Sequence, residues 1–128
     1  GIFQMQKEEQ KQYTSGRHLS IISPAIQEID RSFAINDLSI SHLAKLCGIS
    51  EVYLRKQFQA RYHVTPKQYI LDIRIRKAKQ RLVDTPFTVA AIAKECGFSS
   101  VYHFCHSFKQ RTGKTPTQYA AENKTYQI

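Results

Sequence analysis

Two clusters of side chains in this chain have the chemistry to recognise another molecule. The first is Arg55-Lys56, within SEVYLRKQFQARY (50–62). An arginine guanidinium is a planar fork of donors that matches guanine O6 and N7, and the lysine beside it adds positive charge. The simpler alternative is a solvated helix face. The second cluster is His103-x-Cys105-His106, whose imidazoles and thiol are metal-ligand types. On a helix, however, only His103 and His106 share a face, and no second ligand pair is spaced to complete a tetrahedral set. We expect no metal there and no other cofactor.

Both clusters lie in a segment that occurs twice. The copies are LAKLCGISEVYLRKQFQARYHVTPKQY (43–69) and IAKECGFSSVYHFCHSFKQRTGKTPTQY (92–119). Ala44, Lys45, Cys47, Gly48 and Ser50 match Ala93, Lys94, Cys96, Gly97 and Ser99 at one offset. After one extra residue in the second copy, Phe58, Arg61, Thr65-Pro66 and Gln68-Tyr69 match Phe108, Arg111, Thr115-Pro116 and Gln118-Tyr119. Two copies are too few for a solenoid and suit a tandem of small modules.

Each copy reads as helix, glycine-containing turn, helix, the helix-turn-helix pattern. In the first, Ser39 is an N-cap, the helix ends near Cys47-Gly48, and Ser50 caps a second helix to about Arg61. Leu43, Leu46, Ile49, Leu54 and Phe58 are its expected apolar positions. In the second, Thr88 and Ser99 are the caps, Gly97 ends the first helix, and Ile92, Phe98, Phe104 and Phe108 supply the core. Ser23-Pro24 opens an earlier helix whose Ile22, Ile26, Ile29 and Phe33 roof the first copy, and Asn36-Asp37 forms a turn. Thr65-Pro66, with a capping box to Gln68, opens a long helix to about Val83. Its charged residues from Arg74 to Arg81 read mostly as a solvated face. Its length, about 27 Å at about 1.5 Å per residue, is close to the roughly 34 Å between successive major-groove faces. Thr115-Pro116 opens a last helix that fades near Asn123. The expected architecture is all-α, about seven helices, with segments 1–20 (polar tail, part of it from Met5 to Tyr13 helical), 21–65 (first module), 66–84 (connecting helix), 85–123 (second module) and 124–128 (tail).

Charge narrows the function. The net charge is +9, but the first 38 residues hold four Lys/Arg against five Asp/Glu, so the positive field belongs entirely to the repeat region. A basic helix-turn-helix tandem is the electrostatic footprint of a nucleic-acid binder. No apolar run approaches a membrane span, and no signal-peptide pattern is present. Three cysteines without framework spacing point to reduced thiols in a cytoplasmic protein. Cys47 and Cys96 sit before the turn glycines, where a small buried residue is expected. No Gly-rich phosphate loop, activated nucleophile or carboxylate pair suggests an enzyme, and a helical protein-interaction module would not need the charge.

Taken together, these residues resemble the AraC/XylS family of bacterial transcription regulators. The most specific stretch is GFSSVYHFCHSFKQRTGKTPTQY (97–119), supported by the first copy and by RIRKAKQRLVDT (74–85). The resemblance covers about Ile22 to Ala121. It implies seven homeodomain-like helices and two recognition helices reading adjacent major-groove segments of double-stranded DNA, as an activator or repressor. It places base contacts on Val52, Arg55 and Lys56 in the first module and on Val101, Tyr102, His103 and His106 in the second. Phosphate contacts fall at the helix N-termini, Ser50 and Ser99, where amides are free, with Arg61, Lys67, Lys109 and Arg111 adding charge. Where the family often has Arg, this chain has His106. The resemblance also implies a contact with RNA polymerase and a separate effector-binding or signal-receiving domain. The present piece, lacking the usual dimerisation domain, is expected to be monomeric. The competing reading is a basic module that binds nucleic acid without sequence preference.

The histidines add a pH expectation, because an imidazolium facing phosphate or bases binds better than an imidazole. DNA affinity should rise from about pH 8 to about pH 6 more in the wild type than in a His103→Ala, His106→Ala double variant. Titrations giving equal rises in both proteins would exclude the effect.

Overall fold

In a computed structural model, residues 20–124 are described. The expected polar tail, with its helical stretch from Met5 to Tyr13, lies outside the described residues, apart from Ser20. So does the C-terminal tail beyond Lys124. Among the described residues there are seven helices and no strand: α1 (Ser23–Ser32), α2 (Ile40–Cys47), α3 (Glu51–Tyr62), α4 (Pro66–Asp84), α5 (Val89–Glu95), α6 (Val101–Thr112) and α7 (Pro116–Asn123).

Side-chain caps set where six of them begin. Ser39, Ser50, Thr65, Thr88, Ser100 and Thr115 each accept a bond from the backbone N–H three residues on, at 2.9–3.1 Å. This satisfies one of the donors that a helix start leaves orphaned. Thr65 with Gln68 and Thr115 with Gln118 close reciprocal capping boxes. The exception is α1. Ser23 was expected at its cap but occupies the first turn; Ile22 holds the cap position without a side-chain bond, and Ser20 Oγ accepts from the Ile22 N–H at 3.2 Å. The chain leaves α3 through His63 in the left-handed region (φ 62°), where the second module has Gly113 at φ 82°.

The helices pack into two cores. Ile22, Ala25, Ile29, Leu43, Ala44, Leu54 and Phe58 form the first, together with Ile70 and Ile73 of α4. Ile92, Ala93, Cys96, Phe98, Phe104 and Phe108 form the second, together with Ile75, Ala78 and Leu82 of the same helix. The 19-residue α4 is therefore shared, its first half closing one core and its second half the other. Edge-on and tilted rings finish each: Phe58 against Tyr62 and Tyr69, and Phe108 against Phe104 and Tyr119. Burial between these rings pushes the Tyr69 hydroxyl up to about 12.

Three expectations need correction. Leu46, at helical spacing from Leu43, is 43% exposed, because the two-turn α2 buries only Leu43 and Ala44. Cys96 is buried but Cys47 only partly so. The charged stretch of α4 is also less solvated than expected. Arg74 is 9% exposed, Arg81 pairs with Glu95 at 2.9 Å, and the ammonium groups of Lys77 and Lys79 lie 5.7 and 5.9 Å from the ring centroids of Phe33 and Tyr119.

Leu54 and Phe58 are fully buried. Truncating either to alanine removes apolar contacts and leaves a cavity, at a cost of about 2–5 kcal/mol. Urea denaturation of Leu54→Ala and Phe58→Ala should show midpoint losses of that size, and near-wild-type midpoints in both would mean that α3 packs by another face.

Candidate nucleic-acid interface

The second helix of each helix-turn-helix unit buries one face and exposes the other. In α3, Leu54 and Phe58 point into the core, while Val52, Tyr53, Arg55 and Lys56 are exposed. Val52, in the first turn, is 60% exposed, unusual for an aliphatic side chain flanking a core helix. Arg55 lies 3.4 Å from Glu51 one turn earlier, an exposed pairing that leaves its guanidinium accessible. Ser50 Oγ caps the helix at the exposed end, and Arg61 and Lys67 are exposed beyond it.

The same division holds in α6. Phe104 and Phe108 are buried; Val101, Tyr102, His103, His106 and Lys109 are exposed. Tyr102 is 79% exposed and stacks on His106, with centroids 6.0 Å apart and planes 14° from parallel. His103 turns its ring edge-on to Phe98, and its side chain borders a cleft between the modules that is also lined by Asn36, Leu38, Lys67 and Arg74. Arg111 is differently placed: it forms an ion pair with Asp72 of α4. Among the described residues no three His, Cys, Asp or Glu side chains gather as a metal site.

One correction changes how the modules correspond. Ser100, not Ser99, caps α6, accepting from the His103 N–H at 3.0 Å. The extra residue of the second copy thus lies in the turn, between Gly97 and the cap, and α6 matches α3 at an offset of 50 residues rather than 49. The identical Val-Tyr pairs at 52–53 and 101–102 are therefore not equivalent. Val52 corresponds to Tyr102, Tyr53 to His103, Arg55 to Cys105 and Lys56 to His106. Tyr53, exposed in the position of His103, was missed from sequence; aligning Leu54 and Phe58 with Phe104 and Phe108 would have found it. The second module has no arginine at the position of Arg55, and Cys105 there is half-buried against the second core.

Comparison with known proteins gives concordant results. A helix-turn-helix domain family model of the AraC type matches residues 43–122. The chain is 33% identical over 99 residues to an uncharacterized HTH-type transcriptional regulator of Pseudoalteromonas carrageenovora, covering 77% of this chain and 58% of the relative. It is 29% identical over 97 residues to the Msm operon regulatory protein of Streptococcus mutans, covering 76% and 35%. The chain thus spans little more than half, or less, of these relatives. Among solved structures, the C-terminal domain of AraT, a response regulator from Geobacillus stearothermophilus, is similar with a TM-score of 0.81 and 26% identity, covering 88% of this chain and 93% of that one. The DNA-binding domain of AdpA in complex with a target DNA shares the fold, with a TM-score of 0.72 at 20% identity, covering 80% and 90%.

The cap assignment is open to a direct check. Ser100→Ala should cost about 0.5–2 kcal/mol by loss of the cap bond. Ser99→Ala, exposed and uninvolved, should stay within about 0.5 kcal/mol of wild type. Thermal unfolding of the two variants decides between the offsets, and the reverse order would restore the offset of 49.

Proposed function

The chain belongs to the AraC-type helix-turn-helix family of DNA-binding domains of transcription regulators, and from that membership we propose that it reads two adjacent major-groove segments of duplex DNA, one with α3 and one with α6. One observation carries the proposal: two equivalently capped helices, each with an exposed first turn, are held on the same 19-residue α4 in the part of the chain that bears all of the net positive charge. At about 1.5 Å per residue α4 spans about 28 Å, against about 34–36 Å for one duplex turn.

In this reading Val52, Arg55 and Lys56 address bases from α3, and Val101, Tyr102, His103 and His106 address them from α6. Arg55 takes guanine O6 and N7, and the Val52 methyls meet a thymine methyl. Ser50 and the turn from Ser99 to Ser100 present helix N-terminal amides to phosphates, with Arg61, Lys67 and Lys109 supplying charge. Arg111 contributes to the field while anchoring α6 to α4. The first module carries more sequence information, because Arg55 is replaced by Cys105 in the second.

The family consists of DNA-binding regulators, which supports a binding role over catalysis. The fraction of each relative that is matched supports reading the chain as the DNA-binding part of a longer, cytoplasmic regulator, with a further effector-binding or signal-receiving domain and a contact to RNA polymerase. Alone it acts as a monomer. No helix of the described residues is long and apolar enough to cross a membrane.

Selection from a random duplex library at near-physiological salt tests the proposal, because salt-dependent phosphate binding alone gives affinity without sequence enrichment. Two short enriched blocks about one helical turn apart are expected. No enrichment despite salt-sensitive binding would overturn sequence-specific reading in favour of charge alone. On the recovered site, Arg55→Ala should lose about 1–3 kcal/mol of binding while relaxing base preference in one block. Uniform weakening on all sequences would move Arg55 to the phosphates.

A further inference from the structure

The two modules are joined by more than the continuity of α4. Arg74, midway along that helix, sits where the first core gives way to the second. Its Nε donates to the Phe33 carbonyl and its Nη2 to the Ile35 carbonyl, both at 2.7 Å. Phe33 is the C-cap of α1, so its carbonyl lies at the negative pole of the helix dipole, while the Ile35 carbonyl, two residues on, also accepts from the Leu38 N–H at 3.2 Å. No carboxylate pairs with Arg74 among the described residues. From the other side comes Gly97, the turn glycine of the second module. A Cβ there would lie 2.4 Å from the Phe33 oxygen and 2.9 Å from Arg74 Nε. Gly48, its counterpart in the first module, also has positive φ, yet a Cβ on it would meet nothing within 4 Å. The repeat position is thus open in one copy and pressed against the other module in the second.

We propose that Arg74 and Gly97 form a clasp that fixes the distance and rotational phase between α3 and α6, making the clasp a determinant of which spacing between two half-sites the protein accepts. The inference rests on the two-segment reading of DNA above. Without the clasp the modules are held only through α4, whose two halves pack into separate cores, and through the Arg111–Asp72 pair, so α4 can bend where one core gives way to the other. With the clasp, the first module's α1–α2 loop, the middle of α4 and the second module's turn are one rigid junction. Each base pair inserted between half-sites moves the second by about 3.4 Å and about 35°, a displacement that a rigid junction cannot follow. Arg74 and Gly97 touch no base in this scheme; they are positioning residues.

The test compares wild type, Arg74→Met and Gly97→Ala on duplexes carrying both half-sites at the selected spacing, at one base pair more or fewer, and on each half-site alone. The two substitutions open the same junction from opposite sides, so one folded variant suffices, with circular dichroism and melting confirming the fold. Wild type should gain from bivalent engagement at the selected spacing and lose about tenfold or more at either neighbouring spacing. A variant should keep half-site affinities within about twofold, bind the tandem site about tenfold more weakly, and tolerate altered spacing within about threefold. A folded variant that keeps the wild-type spacing profile overturns the clasp, as does equal loss on half-sites and tandem sites, which marks a merely structural role. If wild type itself prefers no tandem site, it is the two-segment reading that fails, a result distinct from either.

Discussion

A helix that ends between two packed modules must find donors for its last carbonyls, and at the C-cap of α1 one side chain, Arg74, supplies the donor. The Phe33 carbonyl at the end of α1 faces Arg74 of α4 and Gly97 in the second module's turn, whereas Ile35 is half exposed and its carbonyl also accepts from the Leu38 N–H. Leaving a buried carbonyl unpaired costs about 1–3 kcal/mol. Arg74 satisfies the Phe33 carbonyl and adds a second donor to that of Ile35, with a rigid fork that a lysine ammonium does not reproduce. Burial lowers its pKa from the ordinary arginine value, which makes the dipole of α1 and the two carbonyls the elements that support the charge. Everything around the junction conforms to it: glycine at 97, the ammonium of Lys77 over the Phe33 ring, and the switch of α4 from Ile73 in one core to Ile75 in the other.

The two copies keep what folding needs and vary what they expose. Retained are the serine and threonine caps, the pair of buried residues four apart on the second helix, and the Thr-Pro-x-Gln-Tyr start of the next helix, whose tyrosine meets the buried phenylalanine edge-on in both. Varied are the exposed positions. The first module offers Val52, Arg55 and Lys56, while the second offers Tyr102, His103 and His106 with a cysteine in the place of the arginine. One module thus exposes a charged surface and the other a stacked aromatic pair.

Much of this was legible in the sequence, because it is local. A cap and its acceptor lie three residues apart, and a capping box adds only a glutamine, so the starts of α2, α3, α4, α5 and α7 were readable from neighbours alone. The exposed strip of α3 followed from the helical period once Leu54 and Phe58 were placed inside. What was not legible depends on distant partners or on degenerate signals. Arg74 looks like any surface arginine until the Phe33 carbonyl, 41 residues earlier, is brought to it. Ser99 and Ser100 are equally good caps by type, and matching identities at the turn favoured the wrong one; carrying the Phe58–Phe108 match back to Leu54 and Phe104 separates them, and the Ser100 cap bond agrees. Leu46 has the right spacing for burial, but a helix of eight residues covers too little of the core to use it. Arg111 reads as surface charge, yet it pairs with Asp72 across 39 residues.

The sharing of α4 has a consequence for how the molecule comes apart. Each module resembles a four-helix unit, with α4 serving as the last helix of the first and the opening helix of the second. Seven helices therefore do the work of eight. If α5 to α7 detach, Ile75, Ala78 and Leu82 are stripped of their cover and the second half of α4 loses the packing that keeps it helical. Fraying of that half withdraws Arg74 from α1 and weakens the first core in turn. Melting is thereby coupled across the two modules, and a cut anywhere in α4 would leave two incomplete pieces rather than two domains.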